Sequence, residues 1–389
     1  MHALKIREDH GANGLLAGRS SRASMTSAGS DLLEFNVANT FNFLSSEFAE
    51  LFERADATAF QNPIWLDCVF RRLASEHPTE ILIGRTRADG KLILVLPMIR
   101  RHLGPFSVRD AADLNVSDYG ALVVDQGAAE SPAVLDQIMD ALRELTLVRV
   151  RRVRDLNIGF PLRDSGVSAS AMNFNAHEVE LTQPIDDWQS RILQPDFARF
   201  LKSKRKRLAA KGKLTVEVAG DPSRIRAAFE AMRHFRRSRW ADDLLADSKH
   251  FEFYVDAAVS GHETGFTRTY ILSVNDTIVS VLFGVWHKRR FSFLLSGFDR
   301  EIYRNFSTGM LLLESIIEDC IRRADSCFDL TIGDEEYKQK FATRSVPMHV
   351  FWFGKRPWTS LAPLALDALI GARSLIGKIR KPKSTAGAS

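Results

Sequence analysis

The stretch from Ser296 to Met310 combines residue types that can bind phosphate. Its pattern predicts a strand that ends in a short loop, followed by a helix that begins near Ser307. Helix first turns usually carry acids, which complement the positive end of the helix dipole. The first acid inside this predicted helix is Glu314, two turns from its start. Free N–H groups, two hydroxyls and a glycine at 307–309 would let a phosphate reach the backbone. The alternative is an ordinary helix start capped by Ser307, with Gly309 incidental. The predicted phosphate-binding set is Phe298, Arg304, Asn305, Ser307, Thr308 and Gly309.

A second group of reactive side chains follows the apolar run that ends at Gly333. In a parallel arrangement, the end of this strand and the start of the preceding helix face the same edge of the sheet. A carboxylate there could accept a proton from an amine or hydroxyl, and a phenol could donate one to a leaving thiolate. The alternative is a helix capped by Asp334 with an acidic first turn. The predicted catalytic residues are Asp334, Glu335, Tyr337 and Lys338.

The net charge of +5 conceals a strongly basic segment. Residues 191–240 contain 15 Lys/Arg and 4 Asp/Glu, which gives +11, so the other residues sum to −6. Such a segment attracts phosphates, nucleic acid or an anionic membrane, although it could also be a solvated helix face. No nucleic-acid-binding motif accompanies it, which favours a phosphate-bearing small ligand. The predicted substrate-binding residues are Arg205, Arg237, Trp240 and Tyr303.

The composition is that of a globular protein of two or three domains. The chain has 389 residues, of which 45% are hydrophobic and 26% charged. Three cysteines without a pairing or ligand pattern predict reduced core residues, and no sequence motif indicates a metal site. No apolar run approaches the length of a membrane span. These features favour a cytoplasmic protein.

The order of predicted elements repeats in the two halves of the chain. Each half contains a strand hairpin, a helix and a further strand, with turns at Asp89–Gly90 and Asn275–Asp276. In the first half the helix is predicted over 132–147 and the closing strand over 155–160. The predicted organisation is a disordered leader (1–34), a first half (35–170), a second half (171–357) and a basic amphipathic tail (358–389) that could lie on a membrane.

Three stretches resemble the GNAT-type acetyltransferases named CelD/BcsL, which are linked to bacterial cellulose and exopolysaccharide biosynthesis. The resemblance covers residues 35 to 355. It is carried by Phe60-Gln-Asn-Pro-Ile-Trp-Leu66, by Gly297-Phe-Asp299 through Gly309, and by Phe328-Asp-Leu-Thr-Ile-Gly-Asp-Glu-Glu-Tyr-Lys338. The third is the most specific. Ser307 departs from the pattern, because the usual loop has a glycine there.

The resemblance implies an α/β, tandem GNAT fold like that of the FemAB peptidyltransferases, with a mixed sheet flanked by helices in each half. It implies acetyl-CoA or another acyl-CoA as donor, and places the CoA pyrophosphate at 304–309. The expected acceptor is an amine or hydroxyl of a sugar, a polysaccharide or a lipid-linked precursor. Two alternatives remain open at this stage: transfer from a charged tRNA, and an inactive scaffold in polysaccharide biosynthesis.

Overall fold

A computed structural model describes residues 32–103, 106–155, 167–182, 184–237, 243–355, 358, 359 and 361. The strands are β1 Leu33–Ala38, β2 Thr79–Thr86, β3 Leu92–Leu103, β4 Phe106–Ala111, β5 Val123–Val124, β6 Leu147–Arg154, β7 Val167–Glu180, β8 Leu214–Val218, β9 Thr267–Val274, β10 Thr277–His287, β11 Arg290–Phe298, β12 Cys327–Ile332 and β13 Arg344–Gly354. The helices are α1 Ser46–Arg54, α2 Pro63–Arg72, α3 Gln126–Ala129, α4 Pro132–Glu144, α5 Trp188–Ile192, α6 Pro195–Ala209, α7 Pro222–Arg236, α8 Ser248–His262, α9 Thr308–Arg322 and α10 Glu336–Gln339.

One large mixed sheet runs through the molecule in the order β1-β2-β3-β4-β6-β13-β7-β12-β11-β10-β9-β8, with β5 paired beside β3. Each half contributes four antiparallel strands and then a parallel strand reached through a helix. Two helices follow the first strand of each half, α1 and α2 in one and α7 and α8 in the other. This arrangement confirms the predicted mixed α/β fold and repeats one topology twice.

The two halves exchange their last strands at the centre of the sheet. β7 leaves the first half and pairs with β12, while β13 leaves the second half and pairs with β6. β7 and β13 then pair with each other along most of their length. The boundary predicted near residue 170 therefore falls inside a strand that joins the halves.

Local sequence signals account for most element boundaries. Asn62 accepts a hydrogen bond from the N–H of Ile64, and Pro63 occupies the first turn of α2, where a missing N–H costs nothing. Asn275 and Asp276 adopt positive φ angles in the predicted turn between β9 and β10. β6 spans Leu147–Arg154, directly before the strand predicted over 155–160, of which residues 156–160 lie outside the described part. β1 begins at Leu33, inside the range predicted as a leader.

Apolar cores lie on both faces of the sheet. In the largest, α2 packs against α8, so equivalent helices of the two halves meet, and the buried Trp65 ring contacts Phe253 edge-to-face at 5.0 Å. All three cysteines are free and buried, as the sequence predicts. Among the described residues, no helix is both long and apolar enough to traverse a bilayer. The basic tail lies outside this range, apart from residues 358, 359 and 361.

Candidate active site

A cleft of about 740 Å³ opens where β11 and β12 separate. The two parallel strands pair only at their start, from Arg290 with Cys327 to Ser292 with Asp329. Beyond that point they diverge, and both strand ends together with the N-terminus of α9 line the opening. The separation exposes backbone and side chains at the carboxyl edge of the sheet, the usual position of ligand sites in α/β folds.

The start of α9 is suited to an anion. Ser307 is in the left-handed conformation (φ 55°, ψ 43°), its side chain caps no N–H group, and no acid lies in the first turn. A Cβ on Gly309 would come within 3.0 Å of the Phe298 ring, so the glycine lets this ring lie against the helix. The Thr308 hydroxyl is buried and has no hydrogen-bond partner within the described part of the chain. This orphaned hydroxyl fits a ligand oxygen at the helix start.

The cations of the cleft differ in what they already bind. Arg236 pairs with Asp243 and donates to the Ser296 carbonyl, so its charge is neutralised. Arg300 and Arg304 line the cleft and form no ion pair with any residue of the described ranges, although the Arg300 guanidinium lies 4.9 Å from the Phe298 ring centroid. These two exposed arginines are therefore available to an anionic ligand.

The structure brings most of the predicted phosphate-binding and catalytic side chains into this one cleft. Lining it are Phe298, Arg304, Ser307, Gly309, Glu335, Tyr337 and Lys338. Thr308 is buried between two lining residues, whereas Asn305 is exposed and its carbonyl accepts a hydrogen bond from Lys204. The two stretches picked out in the sequence are thus neighbours in space.

The segment after β12 is fixed by its own lysine. Lys338 is buried, donates to the Ile332 carbonyl and lies 3.1 Å from the Glu335 carboxylate. Gly333 has φ 112°, a conformation that side chains rarely adopt, so the turn itself requires glycine. Asp334 turns away to His177, whose hydrogen bond holds the pKa of Asp334 below its usual value. An exposed carboxylate with a lowered pKa is a weak base, which disfavours Asp334 as proton acceptor.

Sequence reasoning missed Asp118, a carboxylate that the first half places in the cleft. Burial raises its pKa to about 6, while Arg152, the Thr331 hydroxyl and Lys338 act in the opposite direction. A carboxylate that titrates near 6 is mostly ionised at neutral pH yet far more basic than an ordinary aspartate. The residue stands outside every local motif, so only its proximity to the second half reveals it.

Both neighbours of Asp118 are held by two of the stretches that carry the family resemblance, those at 60–66 and 328–338. The Trp65 indole N–H donates to the Ser117 hydroxyl at 2.9 Å, and the Gln61 amide donates to the Tyr119 carbonyl at 3.2 Å. Two further hydrogen bonds support the segment. Arg152 donates to the Ser117 carbonyl at 2.6 Å, and the Tyr119 hydroxyl donates to Asp329 at 2.7 Å. The segment that carries Asp118 is therefore anchored on both sides.

The matching position in the first half holds a much smaller pocket among the described residues. β4 and β6 also separate after two paired residues, and the pocket beside them, lined by β3, the end of β4 and the segment that follows it, measures about 20 Å³. Buried side chains of the segment that follows β4 fill the surrounding region, among them Leu114, Val116 and Tyr119. The first half thus supplies Asp118 to a site whose other lining residues belong to the second half.

Three of the four residues predicted to bind substrate are not among those that line the cleft. Arg205 pairs with the buried Glu314 and joins α6 to α9, so it supports the helix rather than lining the cleft. Arg237 is exposed at the end of α7, where its neighbour Arg236 lines the cleft instead. Tyr303 packs on the core beneath α9, and Trp240 lies outside the described residues. No cluster of three or more metal-ligating side chains occurs in the described ranges.

Comparison with known proteins agrees with this geometry. Residues 195–339 match the family described as the acetyltransferase (GNAT) domain. The solved structure of FemX is 12% identical, with a TM-score of 0.54, and the match covers 84% of this chain and 99% of FemX. L-PGS from Bacillus licheniformis is 11% identical, with a TM-score of 0.52, over 83% of this chain and 96% of that one. No curated protein sequence matches.

The similarity to these structures extends over both halves, whereas the family match covers only the second. At identities this low the structural likeness establishes the fold alone. The matched range contains α9, β11, β12 and the segment with Tyr337. It begins well after Asp118, which therefore lies outside it. Residues 195–339 are therefore similar to the acetyltransferase (GNAT) domain, and the chain has a fold similar to that of FemX.

Proposed function

We propose that the protein is an acyl-CoA-dependent acyltransferase, most simply an N-acetyltransferase, that modifies an amine or hydroxyl. The observation that carries the proposal is the cleft itself. It joins an acid-free helix start and two arginines that form no ion pair with any described residue to a carboxylate of raised pKa and a phenol. In this assignment Arg304, Ser307, Thr308 and Gly309 hold the CoA pyrophosphate.

The proposed chemistry assigns one proton transfer to each half of the chain. The thioester of the donor supplies an activated acyl carbon. The Asp118 carboxylate accepts the proton that the acceptor amine or hydroxyl loses as its bond to that carbon forms. The Tyr337 hydroxyl donates a proton to the thiolate as the carbon–sulfur bond breaks. Lys338 keeps the segment of Tyr337 against the end of β12.

The resemblance to CelD/BcsL proteins supports an acceptor from cell-surface polysaccharide synthesis, such as a sugar, a polysaccharide or a lipid-linked precursor, handled in the cytoplasm. Incubation with acetyl-CoA and extracted precursors, followed by mass spectrometry, tests this acceptor class. A product heavier by one acetyl group supports it. Unchanged precursors beside confirmed acetyl-CoA binding would point to another acceptor.

Replacing Arg304 by alanine should weaken acetyl-CoA binding by roughly 10-fold to 100-fold, because a charge-assisted hydrogen bond contributes about 1.5–3 kcal/mol. Calorimetric titration of wild type and variant measures the change. Arg322→Ala is the matched control, since this exposed arginine lies at the opposite end of α9. Absence of binding to wild type, or equal loss in both variants, would overturn the donor assignment.

Replacing Thr308 by valine should separate ligand binding from folding. Valine keeps the shape of threonine and removes a buried hydroxyl that has no partner in the described part of the protein. We therefore expect a melting temperature no lower than that of wild type and an acetyl-CoA affinity reduced about fivefold, the value of one ordinary hydrogen bond. Lower stability with unchanged affinity would assign the hydroxyl to the fold instead.

A further inference from the structure

The mouth of the cleft carries an exposed surface that is both basic and apolar. We call it the mouth face and define it by Phe200, Lys204 and Arg207 on α6 together with the loop 300–304. The Lys204 ammonium connects its two parts, because it lies 5.1 Å from the Phe200 ring centroid and donates to the Asn305 carbonyl at 2.6 Å. The Arg207 guanidinium lies 5.6 Å from the Phe306 ring centroid. Helix and loop therefore form one continuous surface.

Ile302 is the apolar point of this face. It is 72% exposed, more than any other large hydrophobic residue in the described ranges. The Asp299 carboxylate accepts hydrogen bonds from the N–H groups of Glu301 and Ile302, both at 2.9 Å, so the loop is held in a defined turn. The exposure of this side chain is thus built into the loop beside the cleft, and Phe200 adds a second partly exposed apolar group at 37%.

Positive charge surrounds Ile302 on several sides. Arg300 and Arg304 flank it in the loop, and Lys204 and Arg207 lie across from it on α6. Against these four cations stand Glu301 and Asp299, and Asp299 is engaged by the loop backbone. An isolated apolar side chain inside a basic surface matches an anionic bilayer, in which the side chain enters the acyl boundary and Arg300, Lys204 and Arg207 meet phosphate groups, while Arg304 stays with the CoA pyrophosphate.

We propose that the mouth face docks on a membrane that contains anionic phospholipid, and so presents the cleft to an acceptor embedded in that membrane. The docking itself does not depend on the proposed acyltransferase function, whereas presentation of the cleft to an acceptor in the membrane rests on it. A nucleic acid would also meet the cations, and its bases stack on aromatic or guanidinium planes of the kind this face offers, but it gives no role to the exposed aliphatic side chain of Ile302. The apolar residue at the most exposed point therefore favours lipid.

Co-sedimentation of the full chain with vesicles tests the docking. One set contains phosphatidylcholine alone, and the other contains equal parts of phosphatidylcholine and phosphatidylglycerol. We expect wild type to bind only the anionic set. Ile302→Asp should lower the partition coefficient about tenfold or more, the effect of withdrawing one aliphatic side chain from apolar surroundings. Leu44→Asp is the control, since Leu44 is 57% exposed but lies in the first half.

A charge pair on α6 provides the second comparison. Arg207→Glu should weaken binding to anionic vesicles more than Lys206→Glu, because the exposed Lys206 is offset by about 200° around the helix from Lys204. Wild type that binds neither vesicle set, or equal loss in Ile302→Asp and Leu44→Asp, would overturn the proposal. So would tight binding of an RNA duplex that is unaffected by Ile302→Asp. Acetyl-CoA titration of Ile302→Asp should match wild type, which keeps failure of docking distinct from failure of the donor assignment.

Discussion

We expect the Asp118→Asn variant to lose about 100-fold or more of its kcat/KM for acyl transfer at neutral pH. A positioned general base typically contributes about 10²–10⁴-fold, and asparagine cannot accept the proton. The cleft places this carboxylate opposite the start of α9, together with Tyr337. Initial rates of acetyl-CoA consumption with an acceptor extract measure the loss.

The pH dependence gives an independent signature of the same residue. Burial raises the pKa of Asp118 to about 6, so the base is protonated below that pH and available above it. The wild-type kcat/KM should therefore decline as pH falls through 6, and the variant should lack this limb. Folding stability should change with pH in the opposite direction to activity. A carboxyl with a raised pKa disfavours the folded state once it ionises, so its contribution to stability falls as pH rises through 6. Asp118→Asn should consequently be no less stable than wild type at neutral pH.

Asp334→Asn is the informative comparison. Asp334 was, with Glu335, one of the two carboxylates that the sequence offered as the base, yet its side chain is exposed, it is hydrogen-bonded to His177 and its pKa is lowered. We expect this substitution to change kcat/KM by less than about threefold, because Asp334 is a weak base that is engaged by His177. Loss of a true general base would instead cost about 10²–10⁴-fold. A large loss in Asp334→Asn beside near-normal activity in Asp118→Asn would reverse the assignment of the base.

Removing the Asp329 carboxylate should cost about 3–5 kcal/mol in the free energy of unfolding, the range for breaking a buried ion pair. Asp329 is fully buried and accepts from Arg154 at 3.2 Å, from Arg290 at 3.4 Å and from the Tyr119 hydroxyl at 2.7 Å. Tyr119 and Arg154 belong to the first half, whereas Asp329 and Arg290 belong to the second. Asp329→Ala would leave two half-buried cations with Glu178 as their remaining carboxylate partner among the described residues.

Urea unfolding of Asp329→Ala and of Asp187→Ala measures this cost. Asp187 forms an exposed i,i+4 pair with Arg191, and such pairs contribute about 0–1 kcal/mol. A shift in midpoint confined to Asp329→Ala is the expected result. Equal, small shifts in both variants would mean that the central network contributes little to holding the halves together. Activity should fall as well, because Tyr119 follows Asp118 directly and loses its anchor.

Local patterns were sufficient to predict the repeated part of the fold. Turn residues such as Asn275 and Asp276 and the apolar spacing of α4 and α9 depend on interactions within a few residues, so the hairpins and their helices were predicted correctly. β1, β4, β7 and β8 were missed, since each is short or only partly buried and carries little alternation. The strand exchange between β7 and β13 involves pairing across more than 160 residues, which no local pattern encodes.

The sequence by itself determined the second-half contribution to the candidate site. The acid-free helix start and the polar side chains after Gly333 belong to two consecutive elements, the start of α9 and the end of β12, and the parallel arrangement of β11 and β12 brings both to one edge. Only the tertiary structure decided which carboxylate faces the cleft and which basic residues are engaged elsewhere. Asp118 reaches the site because Gln61, Trp65 and Asp329 hold its neighbours from distant parts of the chain. Arg205 lies outside the cleft because it pairs with the buried Glu314, and a buried charge is stable only when it is paired.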